Sequence, residues 1–214
     1  MLSRTAALLV PAFGSLRVSA DPGAVLAPGS IVAANHTSLA DPAIVFAALH
    51  RLGARPVVLA AAGLWHVPLL GRLLRREGHI PVQRGTERAA DALDRAADAL
   101  AAGHVVLIYG EGGLPRRRDS GELPPGPFRS GLARLAAATG APVVPLGQAG
   151  ARRVTSGGTV KQLAGLATAP ARRPALRVHL GAPLCLGADL AAATDTAHRA
   201  VTAAWAAAAR GAAA

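Results

Sequence analysis

Residues 31–42 read IVAANHTSLADP, an apolar run that gives way to a polar turn and then to an Asp-Pro pair. The apolar part has the length and composition of a buried strand. Asp41 followed by Pro42 favours a helix start, since an aspartate can cap free backbone N–H groups and proline fits the first helical position. The stretch therefore predicts a strand, a turn and a helix, which is the repeating unit of α/β domains.

The same alternation of short apolar runs and alanine-rich segments continues on both sides of this stretch. Strands are predicted at residues 16–20, 30–34, 56–61, 79–83, 105–109, 142–147 and 176–180. Helices are predicted at residues 42–52, from the capping residue Thr86 to Gly103, at 130–139 and at 188–210. Residues 114–128 and 150–174 are rich in glycine and proline, which indicates surface loops.

The chain has 214 residues, of which 51% are hydrophobic and 3% aromatic. That length suits one domain with a substantial core. We expect a single α/β domain at residues 16–214, with a central, mostly parallel or mixed sheet flanked by helices. Residues 1–15 form an N-terminal apolar segment that is interrupted by Pro11 and is too short to span a bilayer. It has no clear signal-peptide cleavage site, and it fits equally well an interfacial membrane helix or a helix packed on the domain.

The chain is strongly basic, with 23 Lys and Arg residues against 12 Asp and Glu and a formal net charge of +11. Such a surface attracts anionic partners, among them nucleic acid, anionic lipid, phosphorylated substrates and acidic carrier proteins. Nucleic acid is not expected, because no binding motif for it is present and aromatic residues that could stack on bases are few. Cys185 is the single cysteine, which excludes a disulfide framework and fits a reducing, cytoplasmic setting.

His36 and Asp41 are the first candidates for catalysis. On a turn, Asp41 can fold back to hold one ring nitrogen of His36, which leaves the other nitrogen free to accept a proton. The alternative is that Asp41 only caps the helix and that His36 is an ordinary loop histidine. This segment alone favours the alternative.

Two later strands also end in polar residues. Residues 78–85 read GHIPVQRG and place Arg84 at a strand end, and residues 104–113 read HVVLIYGEGG and place Glu111 and Gly112 at another. A further strand, VVPL at 143–146, follows a helix. Open α/β sheets assemble their ligand sites at strand ends, so these residues are expected to share one crevice with His36.

In these four blocks the sequence resembles the glycerolipid acyltransferases. The Asn-His-x-Ser-x-x-Asp block of that family is matched by Asn35, His36, Ser38 and Asp41, the second block by the strand that ends at Arg84, and the fourth by VVPL. The third block, Phe-Pro-Glu-Gly-Thr-Arg, is matched at Tyr109, Glu111 and Gly112 only, with Gly110, Gly113 and Leu114 at the other positions. Four blocks in the same order are a specific match.

The resemblance implies a glycerolipid-acyltransferase-like fold, with His36 as general base and Asp41 as its partner. It implies acyl transfer from acyl-CoA or acyl carrier protein to a lysophospholipid hydroxyl at the cytoplasmic face of an anionic membrane. The substrate-binding residues would be Asn35, Ser38, Arg84, Glu111, Gly112 and Arg116, the last replacing the arginine lost at Leu114. No metal or cofactor is expected. A non-phosphate acceptor, or a basic binding module without enzymatic activity, remains an alternative.

Overall fold

The computed structural model describes residues 1–83, 89–115 and 119–210. Within these ranges seven strands form one sheet: β1 (Ser15–Ala20), β2 (Ile31–Ala34), β3 (Val57–Ala61), β4 (Ile80–Val82), β5 (Val106–Tyr109), β6 (Val143–Ala149) and β7 (Ala175–Leu180). Their order across the sheet is β1-β7-β6-β2-β5-β3-β4. All neighbouring pairs are parallel except β6 and β7, which are antiparallel. The predicted mixed sheet is thus confirmed, with strand ends shifted by one or two residues.

The helices of the described residues are α1 (Leu2–Phe13), α2 (Asp41–Arg51), α3 (Leu70–Arg76), α4 (Ala89–Ala101), α5 (Gly131–Thr139), α6 (Thr159–Arg172) and α7 (Leu190–Arg210). Helices α2, α4, α5 and α7 confirm the four predicted from caps and pattern. The predicted capping residue of α4, Thr86, lies outside the described residues.

The prediction of a surface loop at residues 150–174 is wrong. A short 3-10 helix at Ala151–Arg153 and the 14-residue helix α6 occupy most of it. Gly165 and Pro170 lie inside α6. At Gly165 an added Cβ would lie 2.4 Å from the carbonyl oxygen of Val154, so the glycine permits a close contact that a larger residue would block. Helix α3, also not predicted, is a seven-residue helix between β3 and β4.

Helices cover both faces of the sheet. One layer contains α1, α2 and α6, whose buried residues pack with Val32 and Ala34 of β2. The other contains α4, α5 and α7, which pack with Ile31 and Ala33 of the same strand. Because side chains alternate along a strand, the four-residue strand β2 is apolar on both faces and lies at the centre of the molecule.

The N-terminal segment forms helix α1, which packs on the domain along one face, and its role at a membrane interface stays a prediction. Ala6 and Val10 of α1 are buried in the core, whereas Leu8 is 80% exposed.

The strand order brings three polar segments together. Strands β5, β2 and β6 are neighbours and parallel, so their carboxyl ends lie at the same edge of the sheet. The segments that begin at Asn35, Gly110 and Gly150 leave these three ends. This edge contains the candidate site.

Candidate active site

His36 contacts Asp41 across the turn that follows β2. The distance from His36 Nδ1 to Asp41 Oδ2 is 2.9 Å. A histidine whose Nδ1–H donates to a carboxylate keeps its other nitrogen, Nε2, as a proton acceptor. The His36 side chain is 14% exposed, while Asp41 is completely buried. The pair therefore has the arrangement of a general base with a buried orienting partner.

The hydrogen bonds of Asp41 decide between its two predicted roles. Its Oδ2 accepts the backbone N–H of Thr37 and that of Ser38, the latter at 2.8 Å. Both donors precede the helix, and α2 has no side-chain cap at its start. Asp41 thus stabilises the turn that contains His36 and does not cap α2.

Glu111 holds the other side of this turn. Its Oε2 accepts the backbone N–H of His36 at 2.8 Å, and its Oε1 accepts that of Gly126 at 2.7 Å. Burial raises the pKa of Glu111, and these two hydrogen bonds partly oppose the rise. Both carboxylate oxygens are therefore used to position backbone segments, one of them the backbone of His36 itself.

Tyr109, the last residue of β5, stacks on His36 with ring centroids 4.3 Å apart and an interplanar angle of 25°. Burial raises the pKa of Tyr109 well above its usual value, and the negative charge of Asp41 adds to the rise. The tyrosine is thus neutral at physiological pH. Its ring fixes one face of the imidazole.

Asn35 and Ser38 are buried and engage protein partners. The Asn35 side chain donates to the carbonyl of Gln148 at 3.0 Å and accepts the N–H of Gln148 at 2.8 Å, which ties the end of β2 to β6. The Ser38 hydroxyl donates to the carbonyl of Thr155 at 2.7 Å. These contacts fit a positioning role, and substrate binding by either residue stays a prediction.

Arg152 is a site residue that the sequence analysis missed. It is 3% exposed, and its Nη1 donates to the carbonyl of Thr37 at 2.8 Å. Nearby, Glu122 Oε1 accepts the N–H of Gly150 at 2.8 Å, and burial raises the pKa of Glu122. The signal available in the sequence was the position of Arg152, three residues after a buried strand that neighbours β2.

The third sequence block, in which Gly110 stands at the position of the family's proline, packs against Phe128. An added Cβ at Gly110 would lie 2.3 Å from the ring of Phe128, so the phenylalanine occupies space that a proline would need. Gly112 has a positive φ of 67°, and a Cβ there would lie 2.8 Å from Arg129 Cδ. Glu111 contacts the histidine turn, and substrate binding by Glu111 and Gly112 stays a prediction. Arg84 and Arg116 lie outside the described residues.

Comparison with known proteins identifies the family. A family model described as Acyltransferase matches residues 17–148, which is more than half of the chain and includes His36, Asp41 and Glu111. The chain belongs to the Acyltransferase family. This confirms the family-level identification made from the four sequence blocks.

Two relatives place the chain within this family. The chain is 29% identical over 130 residues to the chloroplastic 1-acyl-sn-glycerol-3-phosphate acyltransferase BAT2 of Brassica napus. The match covers 60% of this chain and 35% of that relative, so the chain spans about a third of its length. The crystal structure of the 1-acyl-sn-glycerophosphate (LPA) acyltransferase PlsC from Thermotoga maritima superposes with a TM-score of 0.73 at 18% identity, covering 94% of this chain and 76% of that one. The second match confirms the fold.

Among the described residues, no group of three or more His, Cys, Asp or Glu side chains could hold a metal ion. None of the helices in the described ranges is both long and apolar enough to cross a membrane.

Proposed function

We propose that this acyltransferase-family chain moves an acyl group from a thioester, acyl-CoA or acyl carrier protein, to the hydroxyl of a lysophospholipid such as 1-acyl-glycerol-3-phosphate. The observation that carries the proposal is the 2.9 Å contact between His36 Nδ1 and Asp41 Oδ2 at the carboxyl edge of the sheet. The name of the Brassica napus relative supports this acceptor. A lipid acceptor would place the reaction at a membrane surface.

In the proposed mechanism, His36 Nε2 accepts the proton of the acceptor hydroxyl while the hydroxyl oxygen attacks the thioester carbonyl carbon. Asp41 stabilises the imidazolium that forms. The tetrahedral intermediate then expels the thiolate, which takes the proton from His36, so that an ester and a free thiol leave a regenerated enzyme. General-base catalysis of this kind accelerates such a step by about 10²- to 10⁴-fold.

We further propose that Arg84 and Arg116 bind the phosphate of the acceptor. This assignment rests on the sequence blocks, because Arg84 ends the second block and Arg116 follows the position where Leu114 replaces the family's arginine. A guanidinium group suits the task, since its planar set of N–H donors can bind two phosphate oxygens at once.

A neutral acceptor, such as a glycolipid or another hydroxyl compound, is the second candidate. The contact between Gly110 and the ring of Phe128 favours it, because this part of the third block packs in a way that the family's proline would prevent. The remaining alternative, a basic binding module, explains the net charge. It gives no reason for a completely buried Asp41 that orients a partly exposed histidine.

The test is thiol release from acyl-CoA by the purified protein, with lysophosphatidic acid or a monoacylglycerol of the same chain length as acceptor. We expect release to depend on lysophosphatidic acid. Release only with the monoacylglycerol would favour the second candidate. Absence of transfer from both acyl-CoA and acyl carrier protein to either acceptor would contradict the proposed function.

A further inference from the structure

A basic cleft lies beside the candidate active site. It is a surface cavity of about 310 Å³, formed by the 3-10 helix that follows β6 and by α6. Of the ten described residues that line it, four are basic and none is acidic; the basic ones are Arg152, Arg153, Lys161 and Arg172. These four lie beyond residues 17–148, so the family match assigns no role to the cleft.

Arg152 carries an unsatisfied donor in this cleft. It is 3% exposed, and its two terminal nitrogens donate to the carbonyls of Thr37 and Asp119. Its Nε–H is buried and has no hydrogen-bond partner among the described residues. Buried donors are almost always paired in folded proteins, so an unpaired guanidinium N–H on a residue that lines a cavity indicates a missing acceptor.

Arg172 is fixed at the same cleft. Its Nη2 donates to the carbonyl of Arg153 at 3.0 Å and to that of Gly165 at 2.9 Å, and its Nε donates to the Thr168 hydroxyl at 3.0 Å. These bonds hold the Arg172 guanidinium against the backbone of Arg153 and Gly165. The carboxylate of Glu122 interacts favourably with Arg152 and Arg153 and offsets part of their positive charge. Ser120 and Ser156 add hydroxyl groups to the lining.

The cleft lies on the β6 side of His36. Arg152 contacts the residue next to His36, and β6 is the neighbour of β2 on that side. Glu111 follows β5, the neighbour of β2 on the opposite side, and β4, whose end precedes Arg84, lies farther in that direction. The cleft and Glu111 therefore lie on opposite flanks of the histidine.

We infer that the basic cleft binds the phosphate groups of the acyl donor, that is, the nucleotide phosphates of coenzyme A. Guanidinium groups favour phosphate, since their planar set of N–H donors matches phosphate oxygens, and the volume of about 310 Å³ accommodates more than one phosphate group. The choice of coenzyme A as the ligand rests on the proposed function. The binding of phosphate in the cleft rests only on the described geometry.

The test is a direct binding measurement, by calorimetry, in the His36→Ala background, so that the readout does not depend on turnover. The probes are coenzyme A, pantetheine, glycerol 3-phosphate and inorganic phosphate. The cleft variant is Arg153→Gln with Arg172→Gln, which leaves the buried Arg152 in place. The control is Arg95→Gln with Arg134→Gln, two exposed arginines on the opposite layer that remove the same charge.

We expect the cleft variant to weaken coenzyme A binding by about tenfold or more, because charge-assisted contacts are lost. Pantetheine binding should not change, and the control should stay within about twofold of the parent, since exposed charges far from the cleft are screened. Equal coenzyme A affinity in the cleft variant and the control would overturn the inference. So would a loss confined to glycerol 3-phosphate or to inorganic phosphate, which would assign the cleft to a lipid headgroup or to free phosphate. Failure of acyl transfer in the wild type would affect only the proposed function, since binding is measured without it.

Discussion

Asp41 is the residue on which the turn between β2 and α2 depends. Removing a carboxylate from water is costly unless hydrogen bonds and a partner charge compensate. Here the N–H groups of Thr37 and Ser38 and the imidazole of His36 all meet one oxygen of Asp41. The same residue therefore stabilises the turn and orients the base.

The substitution Asp41→Asn separates the contribution of Asp41 to the stability of the turn from its contribution to catalysis. In Asp41→Asn the amide oxygen can still accept the two backbone N–H groups, but the negative charge that stabilises the imidazolium is gone. We expect kcat/KM for acyl transfer to fall by about 10²- to 10⁴-fold while the melting temperature changes little. Asp41→Ala is the control, because it also leaves buried N–H groups unpaired and should lower stability by about 1–3 kcal/mol or more. An asparagine variant with near wild-type kinetics would contradict the assigned role.

Glu111 and Glu122 provide a second comparison between similar residues. Both are half-buried glutamates with raised pKa values, but Glu111 accepts a backbone N–H on each oxygen whereas Glu122 accepts one on a single oxygen. A glutamine keeps one acceptor oxygen. Glu111→Gln should therefore leave one backbone N–H unpaired and cost about 1–3 kcal/mol of unfolding free energy, and Glu122→Gln should cost less. Chemical denaturation measures both, and an equal effect would show that the second hydrogen bond of Glu111 contributes nothing.

At the scale of elements, β6 and α7 approach each other closely at Gly147. A Cβ added at Gly147 would lie 2.0 Å from the backbone nitrogen of Trp205 and 2.1 Å from the carbonyl carbon of Ala204. Backbone atoms cannot move aside as a flexible side chain can, so the strand and the helix would have to separate. This contact fixes the position of α7 on the sheet.

Gly147→Ala tests this contact. We expect it to lower the unfolding free energy by about 1–3 kcal/mol or more, since forcing atoms into a packed core carries that cost. Gly131→Ala, at the start of α5, is the control: no atom lies within 4 Å of the added Cβ, and alanine there should be neutral or stabilising by up to about 1 kcal/mol. Comparable stability of the two variants in urea denaturation would mean that β6 and α7 separate at no cost.

The elements differ in how well the sequence predicts them. The strands could be predicted from their short apolar runs. Helices α2, α4, α5 and α7 could be predicted from an apolar periodicity together with a capping residue or a glycine at one end. Helix α6 could not, because Gly165 and Pro170 are loop signals and the reason for Gly165 is a contact with Val154, which no local pattern reveals.

The contacts of the candidate site also divide into those that the sequence predicts and those that it does not. The contact of His36 with Asp41 was predicted from the four blocks together, because the segment that contains both residues favoured a helix cap, and the approach of Glu111 was predicted from its position at a strand end. The contacts with Gln148 and Arg152, more than a hundred residues away, depend on β6 lying next to β2. That neighbour relation is a property of the assembled sheet, so the sequence alone could not supply it.

At the scale of the whole molecule, the net charge of +11 and the exposed leucines of α1 favour an anionic membrane surface. Basic residues near such a surface contribute about 1 kcal/mol each, and salt screens this attraction. Leu8, 80% exposed, adds apolar area that salt does not screen. The cytoplasmic location stays a prediction, and the Brassica napus relative is chloroplastic.

Vesicle sedimentation tests this surface. We expect binding to vesicles with anionic lipid, little binding to neutral vesicles, and release at about 0.5 M NaCl, where the Debye length is on the order of 4 Å. Binding that survives high salt in the wild type but not in Leu8→Ser would assign the attachment to α1 instead. Equal binding to neutral and anionic vesicles at low salt would contradict the role of charge.

The central claim is that His36 is the base for acyl transfer, and His36→Ala tests it most directly. The measurement is the rate of thiol release from acyl-CoA with lysophosphatidic acid, for this variant and for His104→Ala. His104 is an exposed histidine before the amino end of β5, at the opposite edge of the sheet from the site. We expect His36→Ala to lose about 10²-fold or more in kcat with an unchanged melting temperature, and His104→Ala to retain wild-type activity. Near wild-type turnover by a folded His36→Ala enzyme would contradict the claim.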